Sequence, residues 1–172
     1  KPFFELIFKG DRFVDPINNK SYSYFFPYGY NKLRKNALSP GTLSLERHRL
    51  LWIFLEKETD FFNTENKILH IAPEQCFYKS FKKNFESYTT CDLNSPIAEI
   101  KADVCNLPFD ENEFDFVLCN HVLEHVYDDE KAMKEIYRVL KHEGKAILQV
   151  PVDNTLEKTI DGRDISDQSL RN

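Results

Sequence analysis

Four points in the chain carry polar groups where a parallel sheet could hold a nucleoside. They are the turn Ala72-Pro73-Glu74, Asp92 with Leu93 beside it, Asp103, and the pair Asn120-His121. Asp92 lies 20 residues after Ala72 and closes an apolar run. A carboxylate there can accept both hydroxyls of a ribose. Asp103 closes the next short run, where a carboxylate can take an adenine amino group. Asn120 and His121 close another run, beside the other half of the same ligand. His121, Glu124 and His125 fall within one turn of a short helix. Either imidazole could take a proton from a hydroxyl or amine near neutral pH, or the segment could serve only as a structural element.

The elements that must place these groups alternate between strand and helix periods. Residues 67–72, KILHIA, read as a buried strand that stops at Pro73-Glu74. A helix over 75–85 follows, with Phe77, Phe81 and Phe85 at i, i+4 and i+8. Strands are predicted at 88–93, 99–102, 114–119 and 145–150, with a loop at 106–112. A helix at 129–141 has acids at its start and presents Met133, Ile136, Tyr137 and Leu140 on one face. Gly144 is its expected stop. This alternation predicts an α/β fold with a doubly wound, mostly parallel sheet and right-handed crossovers. Ligands of such sheets bind at the carboxyl ends of the strands, so the four points converge on one site. The tail from Asp153 is polar and aperiodic. The chain as given lacks the last strands that normally complete such a sheet, so it reads as truncated at its C-terminus. An open edge there predicts a homodimer or an exchanged segment.

Upstream, residues 1–30 alternate aromatic and polar positions and read as short strands joined by turns. Residues 31–43 read as loop. A helix from residue 42 or 44 to about residue 62 carries Leu45, His48, Leu51, Trp52 and Leu55 on its apolar stripe. The expected division is a β-rich extension over 1–43 and an α/β domain over 44–172.

Composition narrows the function classes. Of 172 residues, 41% are hydrophobic and 30% charged, as in ordinary globular proteins. The net charge of −5 argues against a broad nucleic-acid surface, although Lys32, Arg34, Lys35, Arg47 and Arg49 lie close in sequence. They read as a solvated face. No apolar run reaches membrane-spanning length. Cys76, Cys91, Cys105 and Cys119 form no metal knuckle and read as reduced thiols of a cytoplasmic protein.

Four blocks then match a family in order and spacing. They are residues 102–109 (ADVCNLPF), 114–117 (FDFV), 122–126 (VLEHV), and 135–141 (EIYRVLK) with Gly144. Over roughly residues 67–151 the chain resembles the class I S-adenosylmethionine-dependent methyltransferases, most closely their type 11 group. The resemblance implies a Rossmann-like sheet and S-adenosylmethionine as cofactor, with S-adenosylhomocysteine as product. It implies that Asp92 binds the ribose and that Asp103, with the Val104 backbone, holds the adenine. The first turn would take the methionine part, and Asn120–His121 would border the methyl group. The family places an acid in the first strand and a Gly-x-Gly turn after it. Here His70 stands in the acidic place and Ala72-Pro73-Glu74 at the turn. Pro73 fixes φ and removes a donor. Glu74 is either a carboxylate for the ligand's amino group or a surface acid favoured by the helix dipole.

The N-terminal region is similar to a small zinc ribbon that precedes some of these enzymes, in its FFPYG, NAL and SLERHRLLW segments. That ribbon has two Cys-Pro-x-Cys knuckles. This chain has Asp15-Pro16-Ile17-Asn18 and Ser39-Pro40-Gly41-Thr42. Neutral Ser, Thr and Asn are poor zinc ligands, so no metal is expected and His48 reads as structural. The leading expectation is a methyltransferase acting on an unidentified acceptor, with a small molecule one candidate and nucleic acid disfavoured but still open. A non-catalytic binding or interaction module is the alternative. A nicotinamide-linked oxidoreductase would need a glycine-rich turn that is absent.

Overall fold

The chain divides into two units by its contacts, one running through Thr64 and taking in Glu74–Asn84, the other holding Glu65–Pro73 and continuing from Phe85. The computed structural model describes residues 6–30 and 32–152. The expected tail from Asp153 and the first residues of the aromatic segment lie outside those described.

In the first unit, β1 (Lys9–Asp15) pairs antiparallel with β2 (Lys20–Tyr22), and β3 (Phe26–Tyr28) with β4 (Arg34–Leu38). The strand β4 corrects the expectation of a loop at 31–43. Its composition, RKNAL, has little strand propensity, but pairing of Leu38 with Phe26 and Arg34 with Tyr28 supplies the partner. Helix α1 spans Glu46–Glu58, shorter than expected at both ends, and buries the predicted His48, Leu51, Trp52 and Leu55. Helix α2 (Gln75–Asn84) buries Cys76, Phe77 and Phe81. Trp52 stacks on Phe81 at 5.7 Å and 8°, and Phe81 on Phe77 at 5.2 Å and 10°. Aromatic area and favourable ring offset together hold this unit's core.

The second unit is one sheet of five parallel strands in the order β7-β6-β5-β8-β9. Their ranges are β5 Ile68–Ile71, β6 Tyr88–Asp92, β7 Ile100–Lys101, β8 Phe114–Asn120 and β9 Leu140–Gln149. All four residues of β5 are buried, with Ile68, Leu69 and Ile71 in the apolar core and His70 among the buried polar residues. The strand order turns back between β5 and β8, where Ile71 sits opposite Cys119. That junction is the topological switch point of the sheet, as doubly wound folds place their ligands.

Helix α3 (Asp129–Val139) corrects two expectations. Its buried positions are Ala132, Ile136 and Val139, whereas Met133 is 42% and Tyr137 81% exposed. Ile136 and Leu140 are buried as expected, and Ala132 and Val139 join them in the core in place of Met133 and Tyr137. The helix ends at Val139, and Leu140 passes at once into β9, opposite Phe114. The left-handed residue that follows is Glu143, at φ 67, not the expected stop Gly144. Arg138 locks the helix to the preceding loop. Its guanidinium donates to the carbonyls of Phe109 at 2.8 Å and Leu107 at 2.9 Å and to Glu135, whose other role is to accept the Leu107 N–H. The residues of the family blocks at 107–109 and 135–138 thus hold one another.

Candidate functional site

At the switch point the chain takes a costly backbone conformation twice. Ala72 follows β5 at φ 51, and His121 follows β8 at φ 55. The left-handed region costs a non-glycine residue about 1–2 kcal/mol, and strained backbone of this kind clusters at functional sites. The Ala72 N–H donates to the Cys91 carbonyl at 2.9 Å, and the His121 N–H to Gln149 at 2.7 Å. Each strained residue is therefore pinned by the strand next to it.

Between these ends opens a cavity of about 500 Å³, within the size range of small-molecule sites. Its wall includes Ala72, Asp92, Leu93, Asp103, Val104 and His121 from the expected cofactor set, and His125 from the expected base pair. Asp92 is half-buried. Its Oδ1 accepts the N–H groups of Asn94 at 2.6 Å and Ser95 at 2.5 Å, which forms the turn after β6. Only that oxygen is engaged by the turn. Asp103 is exposed and its Oδ1 accepts the Cys105 N–H at 2.8 Å. His121 is half-buried, with Glu124 Oε1 at 3.3 Å from its Nδ1. His125 is exposed.

Four expected site residues are placed elsewhere. His70 is fully buried within β5, with its Nδ1 2.8 Å from the Tyr88 hydroxyl. Asn120 is buried as the last residue of β8, opposite Gln149. Pro73 is buried in the turn. Glu74 belongs to the first unit. There its Oε1 lies 3.8 Å from Nε2 of His48, whose Nδ1 accepts the Leu45 N–H at 3.0 Å. Since Nδ1 is an acceptor, the proton of neutral His48 sits on Nε2, toward that carboxylate.

The wall also holds residues that the sequence did not single out as ligands: Cys105, Val122, Val126, Asp128 and Lys131. Their one signal was proximity to the 102–109 and 122–126 blocks. Three carboxylates (Asp92, Asp103 and Asp128) face one ammonium, Lys131, so the cavity suits a ligand that carries positive charge. Apolar Val104, Val122 and Val126 offer a flat ring a dry surface beside them. Burial, and then the Asp103 and Asp128 carboxylates, push the Cys105 thiol up. It is therefore a poor nucleophile. Among the described residues no three His, Cys, Asp or Glu side chains are grouped to hold a metal. The arrangement can bind and orient, and its imidazole can accept a proton.

Residues 65–148 match a family model described as "Methyltransferase domain". The chain is 48% identical over 60 residues to an uncharacterised protein of Methanocaldococcus jannaschii, covering 35% of this chain and 26% of that protein. It is 44% identical over 52 residues to the 2-phytyl-1,4-naphtoquinone methyltransferase of Nostoc punctiforme, covering 30% of this chain and 23% of that one. The match thus spans about a quarter of the length of these curated relatives. Among solved structures, the YcgJ protein from Bacillus subtilis superposes with a TM-score of 0.48 at 22% identity, over 60% of this chain and 50% of that one.

Proposed function

We infer, from the match of residues 65–148 to the methyltransferase-domain model, that the chain transfers a methyl group from S-adenosylmethionine to a small acceptor bearing an O–H or N–H group. The cavity fits this cofactor. It has a carboxylate at the end of β6, an apolar wall at Val104, and an acidic surround for a cation. Bound there, S-adenosylmethionine supplies a methyl group on positively charged sulfur.

In this reading Asp92 accepts the ribose hydroxyls on Oδ2, since Oδ1 already serves the turn. Asp103 and the Val104 backbone hold the base. Ala72, in its left-handed conformation, takes the place of the expected glycine and lets the backbone approach the methionine part. His121 takes the acceptor's proton on Nε2, with Glu124 beside Nδ1 to orient the ring and stabilise its charged form. His125, exposed on the same short turn, is the second candidate for this step. Positioning supplies most of the rate, because the displacement needs alignment more than a strong base. Four reduced thiols suit a cytoplasmic setting.

The family match over residues 65–148 carries the reading, and the strained Ala72 and His121 at the two strand ends of the switch point, beside a cavity lined by Asp92 and Asp103, support it. Calorimetric titration with S-adenosylhomocysteine tests it. Saturable binding at one site per chain is expected, and no heat of binding would sink the enzyme reading. The replaced first turn favours a second reading, a domain that binds the cofactor without turnover. Methyl transfer from labelled S-adenosylmethionine to any acceptor would remove it.

A further inference from the structure

Among the described residues, the first unit contains a fully buried carboxylate outside any group of side chains that could hold a metal. Asp15, at the end of β1, is 0% exposed. Its Oδ1 accepts the Ile17 N–H at 3.1 Å. Its Oδ2 accepts three hydroxyls: Ser39, Thr42 at 2.6 Å, and Ser44 at 3.4 Å. These come from residues 24 to 29 positions away, across both hairpins and the entry to α1. The hydroxyl oxygens in turn accept backbone N–H groups. Ser39 Oγ takes Gly41 at 3.3 Å and Thr42 Oγ1 takes Ser44 at 3.1 Å.

Arg49 is a cation whose charge reaches both Asp15 and Glu46. Its Nη1 donates to the Ser44 carbonyl at 2.6 Å, its Nη2 to the Ala37 carbonyl at 3.0 Å, and its guanidinium lies over the Phe25 ring at 4.7 Å. Asn18 completes the group by donating to the Tyr22 hydroxyl at 2.9 Å. Gly41 closes over this pair so tightly that a Cβ would lie 2.0 Å from the Tyr22 hydroxyl.

The positions Asp15, Asn18, Ser39 and Thr42 are those that correspond to the four knuckle cysteines of a zinc ribbon. The donors present do not fit zinc. They comprise no thiolate and no imidazole, and each is already engaged inside the protein. We propose that the Asp15 carboxylate is the cross-link of this unit: it ties the 15–18 and 39–42 turns to each other and to α1 without a metal. None of the four cysteines falls before residue 76, so neither chelation nor thiol oxidation within those turns can release them. Removing the carboxylate strands three hydroxyls and takes from Arg49 one of the carboxylates that oppose its charge, the costly way to break a buried set.

Trp52, the single tryptophan, sits in the stacked core of this unit and reports its unfolding. Metal analysis should find no stoichiometric zinc in the purified protein. EDTA, zinc and calcium should each leave the urea midpoint of Trp52 emission unchanged. Asp15→Ala should lower that midpoint by about 1 M or more. A midpoint that falls with EDTA, or rises with zinc or calcium, overturns the proposal, as does an Asp15→Ala protein with the wild-type midpoint. If Asp15→Ala is recovered only unfolded, Ser39→Ala, Thr42→Val and their combination carry the test. Losses that fall short of adding reveal a shared acceptor, and full additivity overturns it.

Discussion

Asp92 has two oxygens with two different jobs in the proposed site, and one substitution separates them. Oδ1 forms the turn after β6 by accepting Asn94 and Ser95 N–H groups at 2.6 and 2.5 Å. Asp92→Asn keeps a carbonyl oxygen for that turn and replaces the second oxygen with an NH2 group, which cannot accept a ribose hydroxyl. Hydrogen bonds to a charged group contribute about 1.5–3 kcal/mol, so S-adenosylhomocysteine should bind about 10- to 150-fold more weakly. Folding stability should change little. Asp92→Ala removes both jobs and should also cost about 0.5–2 kcal/mol of stability, as a lost cap does. Calorimetry and urea unfolding on the same preparations read the two effects. An Asn variant that binds like the parent would show that Asp92 only shapes the turn.

Ala72→Gly should stabilise the fold by about 0.5–1 kcal/mol in urea unfolding, since glycine meets φ 51 without strain but loses more chain entropy; a loss of stability would contradict the strain. Arg138→Ala should cost about 2–3 kcal/mol by releasing the Leu107 and Phe109 carbonyls, and Arg138→Lys should recover little because an ammonium lacks the fork. The acid limb offers a fourth test. Burial works against the charge of Asp115, but the Lys141 ammonium at 2.7 Å and the Lys67 N–H outweigh it and hold its carboxyl below the usual range. Arg138 does the same for Glu135. Depressed carboxylates stabilise the fold above their unfolded pKa of about 4 and lose that contribution as pH falls through the folded values. Asp115→Asn should flatten the stability-against-pH curve below about pH 4, and an unchanged slope there would exclude Asp115.

The sequence by itself determined what depends on periodicity and local chemistry. Alternating strand and helix runs implied the parallel sheet, and the carboxyl-end positions of Asp92, Asp103 and His121 followed from where those runs stop. The stripe of α1 was legible for the same reason, because burial of His48, Leu51, Trp52 and Leu55 repeats with the helical turn. Only the tertiary structure decided what depends on partners distant in the chain. It made β4 a strand by pairing it with β3, and it left Met133 and Tyr137 exposed while Ala132 and Val139 are buried. It gave His70 to the Tyr88 hydroxyl rather than to the cavity. Likewise the left-handed turns at Ala72 and His121 have no signature in residues that ordinarily avoid them, since neighbouring strands impose them. The buried role of Asp15 was hidden most fully: its partners stand 24 to 29 residues away, and a lone aspartate before a proline reads as a surface turn until they converge on it.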